Sequence, residues 1–167
     1  MLDGALPSAY LYTRHDNPNR HALELCLPAL EGAVDAACFA SRSAADMALC
    51  QALETGARVV APDDAYYGTI KLMRELFARW GLELTLVNMT DLAAVRRSVD
   101  SRTRLLWVEP PSNPLDRVVD ITALAELGRA AGAHVVVDNT WATPVLQRPL
   151  ELGAHIALHS ATKYLGG

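Results

Sequence analysis

Three consecutive valines, Val135, Val136 and Val137, lead directly into Asp138. A strand that is apolar at successive positions has no face to offer to water, so it needs cover on both sides. Four more runs are strand candidates beside HVVVDN at 134–139, several of them apolar throughout: RVVAP at 58–62, LELTLV at 82–87, RLLWVEP at 104–110 and HIALHS at 155–160. Helical patterns precede and separate them at 20–30, 44–53, 69–80, 91–99 and 121–131. In the third of these, Ile70, Met73, Leu76, Phe77 and Trp80 recur at helical spacing, and Thr90 is the expected N-cap of the fourth. Strands alternating with helices of this length require crossover connections, which predicts an α/β fold with a mostly parallel sheet flanked by helices.

In such sheets ligands bind beyond the carboxyl ends of the strands. The residues found there are Asp63 to Tyr66, Glu109 to Pro114, Asp138 to Thr140, and Ser160 to Lys163. These polar corners are expected to converge on one edge.

The 167 residues suffice for one substantial core. Hydrophobic residues make up 51%, charged residues 20%, and the net charge of -4 is dispersed, so neither a nucleic-acid surface nor a disordered chain is indicated. No apolar run approaches the roughly 20 residues of a membrane span, and the opening MLDGALPSAY lacks the order of a secretory signal, which leaves the cytoplasm as the default. Cys26, Cys38 and Cys50 form no CxxC pair and read as small buried apolar residues. His155 and His159 share a strand face, but no third ligand accompanies them, so no metal site is expected.

Lys163 taken alone reads as a surface or salt-bridged residue. Ser160 and Thr162 place two hydroxyls beside its amine, an environment suited to holding a phosphate next to an amine that does covalent chemistry. The nucleotide motifs GxxxxGK[ST] and GxGxxG are absent. Asp138 leaves a buried strand as a carboxylate in need of a partner. It is a turn former on one reading; on the other it pairs with a ring nitrogen and keeps it protonated. Pyridoxal phosphate unites these needs in one molecule.

Five stretches carry a resemblance that covers nearly the whole chain: YTRHDNPNR at 12–20, PDDAYYGT at 62–69, VEPPSNPL at 108–115, VVDNTWATP at 136–144 and HSATKYLGG at 159–167. In their order and separation they resemble the fold-type I pyridoxal-phosphate enzymes of cysteine and methionine metabolism, the transsulfuration group that includes cystathionine gamma-synthase. The resemblance implies that Lys163 anchors the cofactor covalently and shuttles the substrate proton. Asp138 would pair with the pyridine nitrogen, Ser160 and Thr162 would bind the phosphate, and Asn113 would approach the phenolic oxygen. Tyr66 would stack on the ring and help to release the substrate's amine. Tyr12 and Arg14 would reach the phosphate of a neighbouring subunit, which implies a homo-oligomer, a dimer or tetramer. Read without the resemblance, YTRHDNP is a polar turn ahead of a helix and PPSNP is a turn.

The family's FASGMAA stretch stands here as FASRSAA at 39–45. Arg42 either adds a cation to the phosphate site or crowds a position that needs bare backbone. Tyr67 likewise replaces a common glycine. Relatives begin earlier and continue past the lysine into a smaller domain, so the resemblance implies a piece truncated at both ends. Residues 1–18 would be a segment contacting a neighbouring subunit, and residues 19–167 part of the cofactor-binding large domain. The implied reaction is elimination or replacement at the beta or gamma carbon of a sulfur amino acid or an activated homoserine. The alternative is a non-catalytic α/β binding or assembly module derived from that family.

Overall fold

The structure, a computed structural model, describes residues 10–166. Residues 1–9 of the expected subunit-contacting segment, and Gly167 of the last motif, lie outside the described residues. The chain divides into two compact units, Met1–Cys38 and Phe39–Gly167.

In the first unit the YTRHDNP stretch forms a turn in which the Tyr12 carbonyl accepts from the His15 and Asp16 N–H groups. Helix α1 (Pro18–Glu31) follows. Asn17 caps it by accepting from the Asn19 N–H at 2.9 Å, proline occupies the first position where no N–H is needed, and Gly32 at φ 71° ends it. The Arg14 guanidinium lies 5.0 Å from the centre of the Tyr12 ring, and both side chains are exposed. Cys26 is exposed and Cys38 partly so; of the three cysteines expected to be buried only Cys50 is, and burial pushes its thiol up to about 12. An Ala/Leu-rich neighbourhood in sequence does not place a residue on the inner face of its helix.

The second unit is built on a sheet of five described strands, all parallel: β1 (Arg58–Pro62), β2 (Glu83–Val87), β3 (Thr103–Val108), β4 (His134–Asp138) and β5 (Ile156–Leu158). Their order across the sheet is β2-β1-β3-β4-β5. The expected α/β fold is therefore present, and the strands lie within two residues of the apolar runs. The two sheet faces carry separate cores. On one face Leu105, Trp107 and Val136 meet helix α2 (Arg42–Gln51) through Cys50, and the 67–80 helix through Ile70, Met73 and Phe77. On the other, Leu106, Val108 and Val135 meet helix α4 (Leu92–Ser98) through Val95 and helix α5 (Ile121–Ala131) through Ile121 and Leu124. Among the described residues no helix is long and apolar enough to cross a membrane.

Two local expectations change. The 69–80 helix is not uniform: α3 (Tyr67–Lys71) passes into a π turn at Leu72–Leu76 and a 3-10 turn at Phe77–Trp80. The altered winding leaves Trp80 half exposed, edge-on to Phe77 at 5.4 Å, although regular periodicity puts it on the apolar face. The cap of α4 is Asp91, which accepts from the Ala94 N–H at 2.9 Å, because the Thr90 hydroxyl is already bonded to Asn88. A short helix, α6 (Thr143–Leu146), follows the β4 corner and has no clear sequence signature.

Helix α5 approaches β4 through Gly128, where a Cβ would stand 2.3 Å from Val135 Cγ2. Alanine favours helix over glycine by about 1 kcal/mol. Even so, Gly128→Ala is expected to lower stability by about 1–2 kcal/mol net, because overpacking a buried contact costs more. Urea unfolding checks this; a stabilised variant would mean that α5 slides freely on the sheet.

Candidate functional site

The strand order sets the location. The chain runs from β1 outward to β2, then crosses back to β3 on the other side of β1, so the connections part at the β1/β3 boundary. A crevice opens at the carboxyl ends of the strands where such a reversal occurs. Tyr66 follows β1 and Glu109 follows β3, and they meet there: both Glu109 carboxylate oxygens accept from the Tyr66 N–H at 3.0 Å. Neighbouring side chains brace the same boundary. Ser112 Oγ donates to Asp64 Oδ2 at 2.5 Å, and Arg117 reaches Asp63 at 3.2 Å and Asp64 at 3.6 Å. The expected convergence of polar corners is thus seen for the ends of β1 and β3.

Asp138 ends β4 as a buried carboxylate. Its Oδ1 accepts from the Thr140 N–H at 3.0 Å, and its Oδ2 accepts from Arg42 Nη2. Arg42 arrives from across the site as the first residue of α2, whose N-cap Ser41 accepts from the Ala44 N–H at 3.1 Å. The same guanidinium lies 3.7 Å from Glu109 Oε2 and 4.0 Å from Asp46 Oδ1, with its carbon 4.8 Å from the centre of the Tyr66 ring. One cation therefore serves three buried carboxylates beneath one aromatic face. Two of them, Glu109 and Asp46, hold their protons more tightly than usual. Burial, reinforced by the charge of Asp138, pushes Glu109 up to about 7. Burial also raises Asp46, against the pull of Arg42 and of the Thr69 hydroxyl that donates to it at 2.9 Å.

The last corner is tied to Asp138 through Thr140. β5 pairs with β4 so that Leu158 stands opposite Asp138, and two residues on the Ser160 N–H donates to Thr140 Oγ1 at 2.8 Å. Ser160 Oγ and Thr162 Oγ1 are 3.2 Å apart, a hydroxyl pair at the end of this chain of bonds. Lys163 follows in a turn in which its N–H donates to the Ser160 carbonyl at 3.1 Å, and its side chain is exposed. Tyr164 packs edge-on against Trp141 at 5.7 Å, which pins the lysine turn to the loop after β4. Helix α6 opens from that loop on Thr143 at φ 63°, an unfavourable conformation for a β-branched residue, fixed by its N–H bond to the Asn139 carbonyl at 2.9 Å.

The structure thus joins Tyr66 and Asp138 through Arg42, and joins Asp138 to Ser160 and Thr162 through Thr140. Asn113 is exposed, and its backbone N–H helps to hold Glu109. Tyr12 and Arg14 belong to the other unit. Asp46, the central position of Arg42 and the bridging role of Thr140 between Asp138 and Ser160 have no signature in the sequence, although Thr140 stands in the polar corner after β4. His155, considered as a metal ligand, accepts from the Val135 N–H through Nδ1 at 3.0 Å, which commits that nitrogen to the sheet.

Known proteins resemble this chain in sequence and in shape. Cystathionine gamma-synthase of Mycobacterium bovis is 51% identical over 98% of this chain, and cystathionine beta-lyase of Coxiella burnetii is 44% identical over 95%. The crystal structure of metB from Corynebacterium glutamicum superposes with a TM-score of 0.93 at 45% identity, covering 97% of this chain. The chain spans 42%, 41% and 42% of those three proteins respectively. The sequence pattern of one pyridoxal-phosphate-dependent family runs through residues 3–167. With nearly every residue inside that pattern and about half of them identical to a curated relative, the chain belongs to the Cys/Met metabolism PLP-dependent enzymes.

Proposed function

We propose that the chain forms the cofactor-binding part of an enzyme that uses pyridoxal phosphate to eliminate or replace a group at the beta or gamma carbon of a sulfur amino acid or an activated homoserine. The observation that carries this reading is the buried Asp138 carboxylate gripping a flat cation beneath the Tyr66 ring. That is the pairing a protonated pyridine ring requires: an anion at its nitrogen and an aromatic face above it. The Ser160 and Thr162 hydroxyls suit the phosphate, and the neighbouring Lys163 suits covalent attachment. When bound, the cofactor supplies a sink for the electrons left on the substrate's alpha carbon.

The chain's own residues supply the rest. The Asp138 carboxylate would hold the proton on the ring nitrogen, and Thr140 keeps its other oxygen in place. Lys163 takes and returns the substrate proton, for which its exposed position in a pinned turn leaves the amine free to move. Tyr66 would orient the ring and Asn113 would approach its phenolic oxygen, while Glu109 sets Tyr66 through the backbone. Tyr12 and Arg14 would serve the phosphate of a neighbouring subunit in a cytoplasmic homo-oligomer, an arginine fork being suited to that group. Residues 1–18 would then be the subunit-contacting segment, with residues 19–167 carrying the site. Synthase and lyase relatives are of similar likeness, so the reading extends to the reaction class and to amino-acid substrates.

A second reading, a binding or assembly module without catalysis, is favoured by one observation: Arg42 already holds Asp138. The test is chemical. The folded chain is mixed with pyridoxal phosphate, reduced with borohydride and digested, and the modified peptide is mapped. The expected adduct lies on Lys163, and a folded sample with no adduct there overturns the cofactor reading.

A further inference from the structure

We propose that Arg42 is a resident stand-in for the cofactor ring: a flat cation that holds Asp138 and the Tyr66 face in the cofactor-free chain and must leave before pyridoxal phosphate can bind. This inference rests on the function proposed above and adds a means of regulation to the same site.

The chemistry of the two groups is alike. A guanidinium and a protonated pyridine are both planar, delocalised cations with N–H donors in the plane, and both stack on aromatic rings. Arg42 uses these properties on the partners expected of the ring, with Nη2 on Asp138 Oδ2 and its guanidinium carbon over the Tyr66 ring, 4.8 Å from its centre. Two groups that need the same carboxylate oxygen and the same ring face exclude each other.

The charge count points the same way. Asp46, Glu109 and Asp138 are 1%, 7% and 4% exposed, and the Arg42 guanidinium is the cation among them. Withdrawing that cation with nothing in its place would strand a buried carboxylate, which is strongly unfavourable. Exchange of one cation for another leaves the balance unchanged. The site is therefore stable with either occupant and unstable with none.

The hold is also incomplete, as a displaceable occupant requires. Arg42 makes a hydrogen bond to Asp138, but its distances to Glu109 and Asp46, 3.7 Å and 4.0 Å, exceed hydrogen-bond range. Its Nε is buried without a hydrogen-bond partner. A residue built solely to stabilise the fold would be expected to satisfy that donor.

Occupancy of this kind reduces apparent affinity by the fraction of molecules in which the ring position is open. The full chain, Arg42→Ala and Arg42→Lys are compared by equilibrium titration with pyridoxal phosphate, read from the absorbance of the bound ring, and by thermal unfolding of the cofactor-free forms. The alanine variant should bind about tenfold or more tightly than the parent chain and unfold at a lower temperature without cofactor. Lysine retains the charge but not the plane, so Arg42→Lys should fold like the parent and show part of the gain, which keeps the test decisive if the alanine variant does not fold. If a folded variant binds equally or more weakly while the parent binds, Arg42 serves the cofactor rather than replacing it, and the inference is wrong. If no form binds, the proposed function fails and this inference falls with it. Binding by a variant alone would be its strongest support.

Discussion

Trp107→Ala is expected to lower the unfolding free energy by about 3–5 kcal/mol, the range for emptying a large aromatic from a core. Trp107 is fully buried on β3, between β1 and β4, and shares its face of the sheet with Val59, Phe77, Leu105 and Val136. Truncation would open a cavity under the strand that delivers Glu109. Domains of this size are stable by only about 5–15 kcal/mol, so much of the chain should be unfolded at modest urea concentrations. A control separates volume from polarity. The indole Nε1 is buried without a hydrogen-bond partner, so Trp107→Phe removes an unsatisfied donor along with some volume, and its loss should be about 1–2 kcal/mol. Equal losses for the two variants would sink the cavity explanation.

The second large effect is a dependence on pH. The Glu109 carboxyl is pushed from 4.5 up to about 7, chiefly by burial. In the window between those values the folded chain keeps a proton that the unfolded chain has released. Stability therefore falls as pH rises, fully retained below the unfolded value and lost by the time pH passes the folded one. The difference of about 2.5 units corresponds to roughly 3 kcal/mol. Asp46, also raised by burial, adds a change of the same sign. Glu109→Gln cannot titrate, so its stability curve should be flatter from about pH 5 to pH 8 and should gain on the parent at the alkaline end. The measurement is urea unfolding of both chains across that range; parallel curves would show that Glu109 does not carry the effect.

These two residues also mark what can be read from a one-dimensional string. Trp107 lies inside RLLWVEP, and an unbroken apolar run announces a strand covered on both faces wherever it occurs, since that signal is local. The strands and α5 were legible for this reason, and so was the edge on which Tyr66, Glu109 and Asp138 gather. Thr90 does not cap α4, because a cap depends on which side chain is free, and Asn88 engages its hydroxyl. The mixed winding of 67–80 and the short α6 turn on tertiary contacts that leave no periodic mark. Arg42 is the clearest limit. Its substitution for glycine is visible in the sequence, but its partner Asp138 lies 96 residues away, and folding gives the side chain a contact that neither expected role contained.

The braces across the β1/β3 boundary have a thermodynamic consequence. Asp63 and Asp64 are tied to Ser112 and Arg117, and Tyr66 to Glu109, by bonds within the protein. Ordering a residue of backbone costs about 1–2 kcal/mol in conformational entropy, and here that loss is incurred during folding. A ligand entering between these loops meets walls already in position, so its binding enthalpy is not consumed in arranging them. The rearrangement left to accompany binding is then concentrated in a single arginine side chain, and calorimetry should register it as a small entropic change rather than the large one that loop closure would produce.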